Sequence, residues 1–195
     1  MVWKSKAQKP IVKDVCKVNN GERRVAVFAG SFDPFTVGHL DLVKRAAGMF
    51  DSLTVLVAQN ASKKNLFDAG TRKAMVEAAV SGIPNVNVAV HDGLTVDFMK
   101  SVGARYLVRG IRSAADLDAE QAVAWNNKVL YKDVETVLLL SAQEHLVVSS
   151  SLVRELLKCG AAKSDAEQKA ILSKYVPKPM ISMLLKEFRK VYETV

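Results

Sequence analysis

Residues that can bind phosphate groups are concentrated in one short stretch, GSFDPFTVGH, at residues 30–39. Ser31, Thr36 and His39 provide hydroxyl and imidazole groups that donate hydrogen bonds to phosphate oxygens. Two glycines in the same stretch favour a tight turn with free backbone N–H groups. Because a helical pattern begins at His39, the stretch predicts an anion site at the N-terminus of a helix.

Three further groups of polar residues have the chemistry to bind phosphates. Lys63 and Lys64 are adjacent cations, Arg109 and Arg112 stand three residues apart, and Ser149–Ser151 form a run of hydroxyl groups. Arginine binds a phosphate through two parallel N–H groups, whereas lysine acts as a compact point charge. Together these residue types predict a site for several phosphate groups.

Each group also has an ordinary structural explanation. Adjacent lysines usually lie in a solvated loop, and serine is a preferred N-cap of helices. The two arginines could form ion pairs with Asp116 or Glu120 instead of binding a ligand. A functional interpretation therefore depends on whether the fold brings the groups together.

The surrounding sequence alternates between strand and helix patterns. Short runs rich in Val and Leu, typical of strands buried on both faces, cover residues 24–29, 53–58, 86–90, 105–109 and 136–140. Apolar residues at helical spacing predict helices over 39–50, 71–81, 95–102 and 116–131, with Thr71 and Asp116 as N-caps of two of them. Only helical patterns follow residue 149. This order predicts an α/β fold, a Rossmann-like doubly wound five-stranded parallel sheet with a helical C-terminal segment.

Every one of these polar groups lies at or after the end of a predicted strand. In open parallel sheets, ligands bind beyond the carboxyl ends of the strands. The separate structural explanations do not account for this shared placement. The sequence therefore predicts one phosphate-binding site at that edge of the sheet.

The net charge of +8 is concentrated at the two ends of the chain. Residues 1–24 contain seven Lys or Arg against two Asp or Glu, and residues 158–195 contain eight against four. Residues 25–157 contain thirteen against fourteen and are close to neutral. A nucleic acid usually binds a basic face of the folded domain, so this distribution argues against nucleic acid as a partner.

The chain length and the N-terminus favour a single cytoplasmic domain. Residues 23–195 suit one domain, and residues 1–22 are basic and lack apolar periodicity, which predicts a weakly ordered extension rather than a signal peptide. Cys16 and Cys159 form neither a metal-type pattern nor a disulfide framework, which favours a reducing compartment. The sequence has no apolar run long enough to cross a membrane.

The stretch GSFDPFTVGH resembles the TxGH signature of nucleotidyltransferases with a class I synthetase-like Rossmann fold. Combined with ASKKNLF, LVRGIRSAADLDAE and VSSSLVRE, it is similar to the pantetheine-phosphate adenylyltransferase family over residues 24–157. The resemblance implies transfer of an adenylyl group from ATP to 4'-phosphopantetheine in coenzyme A biosynthesis, with Mg2+ as cofactor. It also implies a homohexamer and feedback inhibition by coenzyme A.

The resemblance assigns roles to the matching positions. Catalytic roles are expected for His39, Ser31, Lys63 and Arg112, and 4'-phosphopantetheine is expected to bind Ser31, Lys63, Thr95 and Arg109. ATP is expected to bind Ser31, Phe32, His39, Gly110, Ile111, Arg112, Glu120, His145, Leu146, Val147, Val148, Ser149, Ser150 and Ser151. Because the nucleophile is already an anionic phosphate, it needs no general base, and His39 is expected to donate to the α-phosphate. No residues have the spacing of a dedicated metal site, so Mg2+ is expected to be held by phosphates and water.

Four positions depart from the family pattern. Ala29 stands where proline is usual, and Ala119 and His145 stand where aromatic residues are common. Thr95 is shorter than the frequent methionine, although a backbone contact to the substrate would survive. Ala29 concerns the stiffness of the turn, His145 the contact to the nucleotide, and Ala119 one wall of the expected site.

Three other functions fit parts of the sequence. A sister nucleotidyltransferase acting on nicotinate mononucleotide or glycerol phosphate would share the GxFDPxxxGH turn, but is not expected to contain SKKNLF and RGIRSAADLDAE together. A synthetase-related tRNA-binding protein would need an anticodon domain and a basic core. A non-catalytic nucleotide sensor would have no need to retain Ser31, His39, Lys63 and Arg112.

Overall fold

The structure, a computed structural model, describes residue 21 and residues 23–59, 64–161 and 163–193. Most of the predicted N-terminal extension, including Cys16, lies outside the described residues, and so does Lys63. Predictions that concern those positions therefore remain predictions.

Five parallel strands form one sheet, as predicted, in the order β3-β2-β1-β4-β5. The strands are β1 Val25–Gly30, β2 Ser52–Ala58, β3 Val86–His91, β4 Tyr106–Ile111 and β5 Glu135–Leu140. The chain runs outward from β1 to β3, returns to β4 beside β1, and continues outward to β5. The order of strands thus reverses between β1 and β4, which is where doubly wound folds form a crevice for ligands.

Helices connect successive strands and then form the C-terminal segment. They are α1 Val37–Met49, α2 Ala69–Val80, α3 Thr95–Ser101, α4 Ala114–Leu130, α5 Ser150–Cys159, α6 Asp165–Leu172 and α7 Ile181–Glu193. Short 3-10 helices span Gln143–His145 and Lys178–Met180. None of the helices in the described part of the chain has both the length and the apolar character needed to cross a membrane.

The central strand β1 is buried on both faces of the sheet. Ala26 and Phe28 point into one apolar cluster, which includes residues of α1, α2 and the three C-terminal helices. Val27 and Ala29 point into a second cluster on the other face, together with Met99 of α3 and residues of β2 and β4. This alternation follows from the two-residue period of side chains along a strand. The core thereby fixes the position of the turn that follows β1.

Two of the predicted helix N-caps are wrong. Helix α2 begins earlier, because the Asp68 side chain accepts a hydrogen bond from the Thr71 backbone N–H at 2.9 Å. In the same way, Ser113 caps α4 by accepting from the Asp116 backbone N–H at 3.2 Å. In both helices a short side-chain acceptor lies three residues before the predicted cap. From that position an N-cap side chain can accept the backbone N–H of the third helical residue.

Candidate active site

Ser31, Arg109 and Arg112, which are predicted to bind phosphates, lie at the carboxyl edge of the sheet, around the crevice between β1 and β4. Ser31 follows the last residue of β1, and Arg109 and Arg112 lie at the end of β4 and directly after it. The two strands are joined at this point, because the Arg109 guanidinium donates from Nη1 to the Ala29 carbonyl oxygen. The fold therefore brings the serine and both arginines to one place.

The turn after β1 is held in an unusual conformation. Phe32 has φ +47°, a left-handed conformation that is uncommon for residues other than glycine. The Phe32 side chain folds back over Gly30, where an added Cβ would lie 2.8 Å from the ring. Asp33 is buried and accepts hydrogen bonds from the backbone N–H groups of Leu66 at 2.7 Å and Phe67 at 3.1 Å. These contacts fix the turn against the loop that precedes α2.

His39 and Thr36 cap the N-terminus of α1 together. The Thr36 hydroxyl accepts from the His39 backbone N–H at 3.3 Å, and the His39 Nδ1 accepts from the Thr36 backbone N–H at 3.1 Å. A nitrogen that accepts a backbone N–H carries no proton, so the neutral imidazole has its proton on Nε2. His39 can therefore donate one hydrogen bond from Nε2 while Nδ1 remains bound to the cap.

The surroundings of His39 keep the imidazole neutral. Desolvation by burial is the largest cause that lowers the pKa of His39, and the nearby Arg112 and Arg109 cations lower it further, to about 4. Near neutral pH the residue is consequently a hydrogen-bond donor without a charge. A neutral donor is the form of His39 that the expected role at a phosphate requires.

Both arginines have carboxylate partners on α4. Arg109 donates to Glu120 from Nε at 2.8 Å and from Nη2 at 2.6 Å, which is a bidentate ion pair. The Arg112 side chain donates to Asp116 at 3.2 Å, and the Arg112 backbone N–H donates to the same carboxylate at 2.9 Å. These hydrogen bonds, led by the one from the backbone, lower the pKa of Asp116. The ion pairs that the sequence allowed as an alternative to ligand binding are thus present.

The serine run lies against the turn that follows β1. The Ser149 hydroxyl accepts from the Leu152 N–H at 3.1 Å and caps α5, as the structural explanation predicted. Ser150 donates to the Pro34 carbonyl oxygen at 2.8 Å, and the Ser151 hydroxyl accepts from Arg154 at 3.1 Å. Arg154 also donates to the Asp33 carbonyl oxygen at 2.6 Å. The N-terminus of α5 is therefore bound to the same turn as His39.

The other predicted residues that the structure describes lie along the same edge of the sheet. His145 is close to the start of α1, because a Cβ added to Gly38 would lie 3.4 Å from the His145 Cβ. Leu146 and Val147 are exposed in the same loop, and Val148 is buried. The last residues of β4, Gly110 and Ile111, lie between Arg109 and Arg112, and a Cβ on Gly110 would lie 2.3 Å from Leu42 of α1. Thr95 begins α3 after the edge strand β3, two strands away from β1.

Arg72 is a residue of this region that sequence reasoning missed. It is 1% exposed, and it donates to the carbonyl oxygens of Ser31 at 2.5 Å, Phe67 at 3.1 Å and Ala58 at 3.2 Å. Burial lowers the pKa of Arg72, and the nearby carboxylates Asp33 and Asp68 oppose this effect. One signal in the sequence could have revealed it, because Arg72 shares the helical spacing of the buried residues Met75, Val76 and Val80.

The described residues contain no cluster of three or more His, Cys, Asp or Glu side chains arranged to hold a metal ion. The carboxylates nearest to the crevice already have partners. Asp33 accepts two backbone N–H groups, Asp116 accepts from Arg112, and Glu120 accepts from Arg109.

Comparisons with known proteins identify relatives over most of the chain. A model of the cytidylyltransferase-like family matches residues 27–156. The phosphopantetheine adenylyltransferase of Levilactobacillus brevis is 46% identical over 160 residues, which cover 82% of this chain and 96% of that protein. The phosphopantetheine adenylyltransferase of Thermotoga neapolitana is 45% identical over 136 residues, which cover 70% of this chain and 84% of that protein.

A similar fold is also found among solved structures. The structure described as Plasmodium falciparum nicotinic acid mononucleotide adenylyltransferase complexed with NaAD has a TM-score of 0.61, covering 85% of this chain and 96% of that one. At 16% sequence identity, this likeness supports the fold and not the substrate. The sequence identities to the two phosphopantetheine adenylyltransferases are much higher, at 46% and 45%, and cover 82% and 70% of this chain. The chain therefore belongs to the phosphopantetheine adenylyltransferases, within the cytidylyltransferase-like family.

Proposed function

We propose that the protein transfers the adenylyl group of ATP to 4'-phosphopantetheine, which yields dephospho-coenzyme A and pyrophosphate. The observation that carries this proposal is a neutral imidazole donor, His39, beside two arginines at the strand-order reversal of a chain that belongs to this family. The reaction is the penultimate step of coenzyme A biosynthesis.

The chemistry requires charge stabilisation more than proton transfer. An oxygen of the phosphopantetheine phosphate forms a bond to the α-phosphorus of ATP, and the bond from that phosphorus to the bridging oxygen of pyrophosphate breaks. The nucleophile has a second pKa near 6 and already carries about 1.5 to 2 negative charges at pH 7, so no base is needed. The main obstacle is the approach of one anion to another. Fixed donors and cations reduce this repulsion, and such electrostatic stabilisation is usually the largest catalytic contribution.

His39 suits the donor role at the α-phosphate. Its Nδ1 is bound to the Thr36 backbone N–H, which leaves Nε2–H as the group that can donate. Because the pKa of His39 is lowered to about 4, the imidazole takes up no second proton near neutral pH, so it is too weak a base to accept a proton and presents Nε2–H as a neutral donor. We assign the nucleotide phosphates to His39, Ser31 and Arg112.

Arg109 can bind the phosphate of 4'-phosphopantetheine without losing its ion pair. A guanidinium has five N–H donors. Three hydrogen bonds from Arg109 go to Glu120 and to the Ala29 carbonyl oxygen, which leaves two donors for a ligand. In this proposal Glu120 orients Arg109, and Lys63 and Thr95 complete the phosphopantetheine side of the crevice. The loop 145–151 and residues 110–112 line the nucleotide side.

Magnesium is proposed as the cofactor that accompanies ATP. The carboxylates near the crevice already have hydrogen-bond partners. Mg2+ would therefore be coordinated by substrate phosphates and water, which are common ligands of this ion. When bound, the ion neutralises charge on the triphosphate. Arg112 and His39 act on the same phosphates as protein-derived donors.

We further propose a homohexamer in the cytoplasm that coenzyme A inhibits at the same crevice. A large apolar surface on α4 and β5 supports assembly, since α4 has no buried residue and exposes Trp125 (66%) and Val129 (80%), while Leu140 of β5 is 69% exposed. Large exposed apolar patches commonly mark protein interfaces. Light scattering of the purified chain tests the assembly, and a mass other than six subunits would overturn it.

An assay of pyrophosphate release tests the proposed reaction. ATP and CTP are each combined with 4'-phosphopantetheine, nicotinate mononucleotide and glycerol 3-phosphate, with and without Mg2+. We expect release with ATP and 4'-phosphopantetheine, dependence on Mg2+, and inhibition by coenzyme A that is competitive with 4'-phosphopantetheine. Faster release with either of the other acceptors would indicate a sister activity and would overturn the proposal.

A further inference from the structure

Arg72 is the one charged side chain among the largest fully buried side chains of the described residues. Burying a charge is costly unless hydrogen bonds compensate for the lost water. Arg72 donates from Nε to the Phe67 carbonyl oxygen, and from Nη1 to the carbonyl oxygens of Ser31 and Ala58. Its guanidinium is thus surrounded by backbone acceptors.

The three acceptors belong to three different segments that border the crevice. Ser31 begins the turn after β1, Ala58 is the last residue of β2, and Phe67 immediately precedes Asp68, the cap of α2. Backbone carbonyl groups at such points have no partner within a strand or helix and need a donor when they are buried. A single guanidinium supplies these donors and fixes the distance between the segments.

We infer that Arg72 is a positioning residue for adenylyl transfer, which holds the backbone of Ser31 and the end of β2 in the arrangement that the substrates require. One of its three acceptors is the carbonyl oxygen of Ser31, a residue assigned to the reacting phosphates. The loop between Ala58 and Phe67 contains Lys63, which is assigned to the second substrate. Arg72 is buried beneath both segments and acts through them rather than on a substrate.

Asp33 links two of these segments, the turn after β1 and the loop before α2. Its carboxylate accepts from the N–H groups of Leu66 and Phe67, while Arg72 donates to the carbonyl oxygen of Phe67. The loop before α2 is therefore bound both to the turn of residues 31–36 and to α2. A substitution at residue 72 should move this loop and Ser31 together.

This inference rests on the proposed function, and substitution of Arg72 tests it. R72K retains the charge but loses the planar group that reaches three carbonyl oxygens, and R72Q removes the charge. Q168M serves as a control, because Gln168 is also buried and donates to a backbone carbonyl oxygen, that of Gly160, in the C-terminal segment. Each variant is assayed well below its melting temperature.

We expect R72K to reduce kcat about 100-fold, since small displacements of positioned groups have effects of that size. Q168M should lower the melting temperature but change kcat by no more than about twofold, because Gln168 shares no hydrogen-bond partner with Arg72. Binding of inorganic pyrophosphate, measured by calorimetry, should weaken in both R72K and R72Q and stay unchanged in Q168M, because only the Arg72 variants displace the turn that begins at Ser31. Pyrophosphate binding in both Arg72 variants as tight as in the unmodified chain, or a kcat for R72K close to that of the unmodified chain, would overturn the inference.

A double-mutant cycle with S31A separates positioning from a purely structural role. If Arg72 acts through Ser31, the R72K substitution should reduce kcat much less in the S31A background than in the unmodified chain. An equal reduction in both backgrounds would show that Arg72 only stabilises the fold. Should R72K fail to fold, R72Q enters the cycle in its place. If the unmodified chain itself does not adenylylate 4'-phosphopantetheine, the proposed function fails, whereas the pyrophosphate comparison still tests Arg72.

Discussion

Two substitutions of His39 should separate its structural hydrogen bond from its catalytic one. Asparagine places an amide oxygen where Nδ1 lies, so H39N keeps an acceptor for the Thr36 N–H but loses the donor at Nε2. Glutamine places an amide N–H close to the position of Nε2, so H39Q keeps the donor but loses the acceptor for the Thr36 N–H. Each variant therefore keeps one of the two hydrogen-bonding functions of the imidazole and lacks the other.

The expected magnitudes follow from the contacts of each nitrogen. Loss of one donor to developing charge typically reduces kcat by about 10²–10³, or roughly 3–4 kcal/mol, so H39N should be nearly inactive. Loss of one capping hydrogen bond costs about 1 kcal/mol, which corresponds to about 2–4 °C in the melting temperature of a chain of this size. H39Q should therefore be less stable than H39N but more active.

Steady-state pyrophosphate release and thermal unfolding measure the two effects independently. Because the assigned interaction forms in the transition state, kcat should fall in H39N while KM for ATP changes little. An H39N variant that retains half of the original kcat would remove His39 from the mechanism. An H39N variant that is less stable than H39Q would refute the assignment of Nδ1 to the cap.

Three other predictions concern acidity, substrate binding and assembly. Nitrogen NMR should show His39 neutral at pH 6 with an unprotonated Nδ1, because its pKa is lowered from 6.5 to about 4. The free energy of unfolding should therefore be highest above pH 6.5 and fall by roughly 3 kcal/mol as the pH is lowered to 4. H39N should not show this loss. K63A should weaken 4'-phosphopantetheine binding much more than ATP binding in calorimetry, with K64A as the control, and equal losses for both substrates would contradict the assignment. W125E should lower the mass found by light scattering while Y192E, also at an exposed aromatic residue, should not; an unchanged mass would exclude the α4 surface from the interface.

The order of strands and helices could be read from the sequence because each element carries its own periodic signal. Val- and Leu-rich runs of four to six residues are typical of strands buried on both faces, and β1 shows this burial directly. The carboxyl edge followed from the parallel order, so the positions of His39, Arg109 and Arg112 were correctly placed together. The caps of α2 and α4 were less accessible, since helix boundaries depend on which of several nearby polar residues reaches the backbone.

The partners of the charged groups could not be predicted from the sequence in the same way. The sequence allowed Arg109 and Arg112 either to pair with α4 or to face a ligand, and the structure contains the pairs with Glu120 and Asp116. The burial of Arg72 depends on three carbonyl groups that are distant in sequence, from residues 31, 58 and 67. Such contacts arise from tertiary packing, and the local composition of the sequence does not predict them.

The helix cap formed by Thr36 and His39 has a consequence for the entropy of catalysis. An imidazole on a flexible loop would have to give up its rotational freedom each time the transition state forms. Here the ring is fixed when α1 folds, because its Nδ1 is part of the cap, and the Phe32 and Phe35 rings lie 5.2 Å and 5.4 Å from its centre. The loss of side-chain freedom therefore belongs to the free energy of folding rather than to the barrier of each turnover. On this basis, unfolding of the first turn of α1 and loss of activity should occur as one event.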